Sequence, residues 1–185
     1  MNSEKQLTNM LVNRPEIERR WLINAPVMPD LEDGLFKYTD IIQVYTLAGR
    51  IRWERPLVGK ERYVLGVKIG EGMVKQEAER VATKDEFESA IASGGNPRIT
   101  KRRYNIPYQA GEDKYTIQLD YFYGNNTSVD GHYIAEIEYT SEQYGREFNI
   151  TPSWFGREIT DTISPEGKHP YSNRQLAKNG WPAVI

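Results

Sequence analysis

The chain has 185 residues, 24 Lys and Arg against 26 Asp and Glu, and a formal net charge of −2. That size suits one domain, and that balance leaves no excess positive charge for duplex nucleic acid or an anionic membrane surface. Cysteine is absent and His132 and His169 are the only imidazoles, which excludes disulfides, thiolate chemistry and a three-histidine metal centre; any metal is expected on carboxylates, which select hard ions such as Mg²⁺ or Mn²⁺.

Residues 1–14 read as an N-terminal arm, helical or disordered over 1–13, ahead of a single domain at 15–185. The first six residues lack the apolar stretch of a signal peptide, and no apolar run reaches the ~20 residues of a membrane-crossing helix, so a cytoplasmic protein is expected. Period-two runs rich in Val, Ile, Tyr and Thr predict strands over 15–23, 41–46, 50–55, 61–69 and 73–81. Segment 26–37 is either a loop or a short turn of helix. Thr83 and Glu86 then form a capping box, and Phe87 and Ile91 share one face of a helix that Gly94-Gly95 ends. Strands follow at 98–106, 114–123 and 133–139, and a short helix at 172–178. Connections as short as Leu47-Ala48-Gly49 and Gly70-Glu71-Gly72 suit antiparallel hairpins. The fold class expected is therefore mostly β with flanking helices (α+β), its eight antiparallel strands able to close into a barrel.

Alternate residues of a strand share a face, so the sidedness of charge can be read directly. Glu16, Glu18 and Arg20 fall on one face, with Ile17, Arg19 and Trp21 on the other. Arg50 and Arg52 oppose Ile51 and Trp53. Lys75, Glu77 and Glu79 align, as do Lys101 with Arg103, and Gln118 with Asp120 and Phe122. Glu136 and Glu138 oppose Ala135, Ile137 and Tyr139. A polar sheet face in water explains any one of these strands. The recurrence of like-sign pairs points further, because carboxylates held together call for a cation and basic groups held together call for a polyanion. In a closed barrel the charged faces would line a tunnel.

These residues carry a resemblance. Pro15-Glu16-Ile17-Glu18-Arg19-Arg20-Trp21-Leu22 is similar to the ExExK signature of the CYTH superfamily, the triphosphate tunnel metalloenzymes. Arg50-Ile51-Arg52 resembles its RxR strand, Lys68 the basic residue of TxK, Lys75-Gln76-Glu77-Ala78-Glu79 RxExE, and Lys101-Arg102-Arg103-Tyr104 KTRY. Leu119-Asp120-Tyr121-Phe122 resembles DxF, Ala135-Glu136-Ile137-Glu138 AExE, residues 152–160 the PxWxGxEVT run, and Tyr171-Ser172-Asn173 with Leu176-Ala177 the closing YSNxxLA. The likeness spans about residues 15–178. It departs at Arg20, where the family has lysine, at Gly66 in the TxK element, and at Pro170, where an arginine is expected and Lys168 stands nearby.

The resemblance implies metal-dependent hydrolysis of a triphosphate, inorganic triphosphate first among them. Cyclisation of ATP as in class IV adenylyl cyclases remains an alternative, as does non-catalytic retention of a nucleotide or cyclic oligonucleotide. It implies Mg²⁺ or Mn²⁺ on Glu16, Glu18 and Glu138, with Glu136 assisting, and phosphate binding by Arg20, Arg50, Arg52, Lys68, Lys75, Lys101 and Arg103. Catalysis would fall to Glu16, Glu18, Arg20 and Glu138, supported by Glu77, Glu79 and Asp120. The expected partner is a triphosphate or nucleotide small molecule, with no duplex nucleic acid and no membrane, acting on a monomer or homodimer.

Overall fold

The computed structural model describes residues 12–24, 31, 36–149 and 151–183. Among these lie nine strands and three helices. The strands are β1 (Val12–Ile23), β2 (Lys37–Thr46), β3 (Gly49–Pro56), β4 (Arg62–Ile69), β5 (Val74–Ala82), β6 (Arg98–Ala110), β7 (Asp113–Phe122), β8 (Tyr133–Glu138) and β9 (Phe155–Glu158). The helices are α1 (Lys84–Ala92), α2 (Glu142–Glu147) and α3 (Asn173–Asn179). The expectation for residues 1–11 and most of that for 26–37 lie outside the described residues.

All pairings among the strands are antiparallel. Their order, β5-β4-β3-β2-β6-β7-β8-β1, closes on itself because β1 also pairs with β5. This is the closed eight-stranded barrel that the alternation predicts. β1 is the closing strand: residues 12–17 pair with β5 and 18–22 with β8. β9 then continues along the edge that β5 leaves, with Trp21 opposite Glu158. The β2–β3 hairpin turns on Leu47-Ala48. Gly49 beyond it sits at φ +138°, where a Cβ would come within 2.7 Å of the Gly66 carbonyl oxygen, so a side chain there is excluded twice over.

Apolar residues pack outside the barrel wall. Trp21, Ile117, Leu119 and Ile137 meet Phe148, Trp154 and Phe155 on one flank. Val44 and Ile51 meet Phe87 and Ala90 of α1 on another. The Thr83–Glu86 capping box that opens α1 is formed in both directions. A third cluster lies at one end of the lumen. Ile99, Phe122 and Ile134 occupy inward-facing positions of β6, β7 and β8, and α3 lays Leu176 on them. The inner faces thus turn from charged to apolar toward that end, and α3 caps it. No helix among the described residues is long and apolar enough to cross a membrane.

β9 and α2 carry no strand or helix signal in the sequence. β9 has four residues and is set by its register with β1. α2 is six residues long and contains Gly145, where a Cβ would strike Met73 and the Tyr139 ring.

Candidate functional site

The inward parity of the strands brings the predicted side chains into one lumen. Glu16, Glu18, Arg50, Arg52, Lys68, Glu77, Glu79, Lys101, Arg103, Glu136 and Glu138 line a cavity of about 270 Å³. Arg20 and Lys75 line a second cavity of about 600 Å³ beneath α3, which shares Glu18, Arg50, Lys68, Glu136 and Asn173 with the first. Asp120 is fully buried and reaches the site through Lys101 and Arg103.

Opposite charges meet across strands. On β1, Glu18 accepts from Lys75 Nζ at 2.6 Å and from Lys68 Nζ at 3.4 Å, while Lys68 also pairs with Glu16. Arg20 stands opposite Glu136 in the β1–β8 register and donates Nε to it at 2.9 Å. Glu136 also accepts from Arg103 Nη2 at 2.6 Å. Across β3 and β5, Arg50 Nη2 reaches Glu77 at 2.7 Å and Glu79 at 2.9 Å, and Arg52 also pairs with Glu79. Lys101 and Arg103 both take Asp120, the latter through Nε at 2.6 Å and Nη2 at 2.7 Å.

The like-sign pairs therefore neutralise one another. This corrects the argument that each pair needs an external counter-ion: a strand-by-strand reading cannot see the neighbour that the barrel supplies. Seven Arg and Lys side chains and seven Glu side chains line the first cavity, which has no formal excess of either sign.

Burial and charge set the titration of these groups. Burial raises the Glu18 carboxyl and Glu136 adds to that, but Lys68, Lys75 and Arg20 hold it down at about 2. The carboxyl of Glu136 is likewise depressed well below the usual range, with Arg103 and Arg20 overriding burial. Glu16 goes the other way: burial and the Glu18 charge raise it despite Lys68. Lys101 falls to about 8 through burial and the nearby Arg103, although Asp120 opposes the shift.

Glu16 bears on a metal. Two adjacent buried carboxylates share the Lys68 ammonium, and the raised pKa of Glu16 marks a deficit of positive charge there. Among the described residues no three or more His, Asp or Glu side chains are arranged to hold an ion. The donor set on β1 and β8 nevertheless suits a hard cation in chemistry. Glu18 and Glu138 are directly opposite in register, and Glu138 is exposed, accepts from Gln118 Nε2 at 3.1 Å and makes no ion pair among the described residues. Glu136, committed to Arg20 and Arg103, fits such a role less well than the other three.

Some lumen residues are not among the site residues expected from sequence. Glu54 continues the Arg50-Arg52 alternation and pairs with Arg62 Nε at 2.6 Å; its parity was the available signal. Buried Gln43 sits in an apolar run and donates to the Tyr45 hydroxyl. Asn173 and Lys168 enter the second cavity from the α3 segment, which no period-two rule could place. Gly66, the departure in the TxK element, has a physical reason: a Cβ there would lie 3.2 Å from the Glu79 side chain and 3.5 Å from Arg50 Nη2, in the space their ion pair uses. His132 stacks on Trp181, and buried His169 is held between the Ile159 carbonyl and the Tyr171 amide, its pKa lowered to about 4 by burial and by Arg20.

No family model and no curated protein matches the chain. Two crystal structures of the protein NE1496 do. One, described as an inorganic triphosphatase, is 25% identical with a TM-score of 0.55, covering 88% of this chain and 93% of the other. The second, described as a hypothetical protein, is 24% identical with the same TM-score and covers 88% and 97%. With its closed eight-stranded antiparallel barrel, the chain matches a triphosphate tunnel fold.

Proposed function

We propose that the protein hydrolyses a triphosphate, inorganic triphosphate above all, in the lumen of its barrel with the aid of Mg²⁺ or Mn²⁺. The observation that carries this reading is one cavity in which Arg50, Arg52, Lys68 and Arg103 face Glu16, Glu18 and Glu138, with the buried Nε of Arg50 lacking an acceptor among the described residues. A buried guanidinium nitrogen without a partner is costly unless a ligand supplies one.

Phosphate oxygens would take Arg50, Arg52 and Arg103 as forked donors, with Lys68 as a point charge. Each of these cations now holds a carboxylate, so an anion that recruits them strands Glu16, Glu18, Glu77 and Glu79. Glu16, Glu18 and Glu138 would hold a divalent ion, which would restore the balance on the β1–β8 side and, when bound, would neutralise developing charge on the substrate and make water more acidic. Glu138, exposed and without a cationic partner among the described residues, would accept the proton of the attacking water at its carboxylate. Buried Arg20 holds Glu136 and keeps positive charge beside the reacting phosphate without giving up a proton.

Incubation with inorganic triphosphate, ATP and thiamine triphosphate, each with Mg²⁺, Mn²⁺ or excess chelator, tests the reading. Release of phosphate from triphosphate, lost in chelator, is expected. Cyclic nucleotide with pyrophosphate from ATP would replace hydrolysis by cyclisation, and no turnover of any of the three would refute catalysis.

A further inference from the structure

The two cavities differ in charge. The first is lined by equal numbers of acidic and basic side chains. The second, more than twice its volume at about 600 Å³, is lined by seven Arg and Lys residues against Glu18, Glu71 and Glu136. Two of those acids are already taken, Glu18 by Lys75 and Glu136 by Arg20. On the rim toward α3 stand Lys168, Arg174 and Lys178, all exposed and none in a salt bridge among the described residues; Glu166 feels the charge of Lys168.

Between the two spaces sits Asn173, which lines both. Its buried Oδ1 has no donor among the described residues. An amide left unheld can turn its NH₂ toward an anion.

We infer that the cavity beneath α3 is a subsite for the additional phosphates of a linear polyphosphate longer than three, which reaches the lumen through this cationic mouth. The inference rests on the proposed triphosphate reading and extends it. Three cations with no carboxylate to release are available to an incoming chain at no loss of existing pairs, unlike those deeper in the lumen. A positively lined cleft also concentrates anions and raises their rate of encounter, an effect that salt suppresses.

Calorimetric titration with triphosphate, linear inorganic pentaphosphate and adenosine 5′-tetraphosphate tests it, with Mg²⁺ present and turnover blocked by Glu138→Gln. In that background pentaphosphate should bind about tenfold more tightly than triphosphate at low salt, and the ratio should fall toward one in 0.5 M salt, where screening lengths shrink to a few ångströms. Adding Lys168→Ser, Arg174→Ser and Lys178→Ser, all exposed positions, should collapse the ratio to about one. An unchanged ratio in that variant, or equal binding of the two inorganic chains before it is made, would overturn the subsite while leaving the triphosphate reading intact. A gain for adenosine tetraphosphate without one for pentaphosphate would overturn it too, because the cavity would then hold an organic group. Failure of triphosphate itself to bind would remove both.

Discussion

Replacing Asp120 with Asn removes one charge and almost no volume from the wall of the lumen. The carboxylate is fully buried and holds both Lys101, itself 1% exposed, and Arg103. Removing one member of a buried ion pair costs about 3–5 kcal/mol, because the other is left without compensation. Arg103 keeps Glu136, so the stranded charge is that of Lys101. Its pKa stands at about 8 with Asp120 beside it and must fall further without it. The unfolded lysine keeps its proton to about pH 10.4. Wherever folded Lys101 is neutral, the unfolded state therefore binds more protons, and stability rises with pH. For the natural protein that rise begins near pH 8, and for Asp120→Asn it begins at lower pH. The deficit of the variant is expected to be about 3–5 kcal/mol at pH 6, to shrink by as much as ~1.4 kcal/mol per pH unit below pH 8, and to level off above it. Urea unfolding at pH 6, 7, 8 and 9 measures this. With a slope of about 2 kcal/mol per molar urea, the midpoint at pH 6 should drop by roughly 1.5–2.5 M. A deficit under 1 kcal/mol at pH 6, or one that grows with pH, would refute the assignment of Lys101 and Asp120 as a buried charged pair.

Four further outcomes are expected. Glu138→Gln should lower kcat on triphosphate by about 100- to 10,000-fold, the range for loss of a general base, and Glu18→Gln should abolish the response to Mg²⁺ in a titration of activity against metal; retention of either property would remove that residue from the machinery. Arg20→Lys keeps the charge facing Glu136 and should leave the rate within about tenfold, or 1.4 kcal/mol of transition-state stabilisation, whereas a rise of several orders of magnitude would mean that the arginine suppresses turnover. Leu176→Ala removes the buried side chain that seats α3 on Ile99, Phe122 and Ile134 and should cost about 2–5 kcal/mol in denaturant unfolding; a loss below 1 kcal/mol would show that α3 is not held by that contact.

Most of the barrel strands were legible because apolar and charged residues alternate along them, as in β1, β3, β6 and β8. Their ends were less so: β1 begins at Val12 and β2 at Lys37, since pairing with β5 and β6 extends strands past the point where alternation is clear. β9 and α2 were illegible because β9 is held by its partner strand and α2 is a single short run containing Gly145. The inner face of β7 reads in sequence as uniformly polar apart from Phe122, yet Phe122 belongs to the apolar floor under α3 with Ile99 and Ile134. That floor exists only once three strands are side by side. The same holds for the site. Which residues face inward follows from parity, but Arg20 meeting Glu136, or Lys68 bridging Glu16 and Glu18, follows from register and closure.

This pairing bears on how a polyanion can bind at all. A lumen of unpaired cations would bind phosphate tightly but would be hard to fold, since each buried charge without a partner costs several kcal/mol. Here Arg50 and Arg52 hold Glu77 and Glu79, and Lys68 holds Glu16 and Glu18, so most of the buried lumen charges are paired before any ligand arrives. A triphosphate must then compete with carboxylates for the same donors, and a divalent cation must compete with Lys68 for the same acceptors. Each competitor frees the partner that the other needs. On the proposed reading, cation and anion binding are coupled through Lys68, and because such coupling is reciprocal, whatever factor a metal adds to triphosphate affinity the triphosphate would add to the metal's. The ion pairs that let the barrel fold empty thus favour joint occupancy over binding of either ion alone.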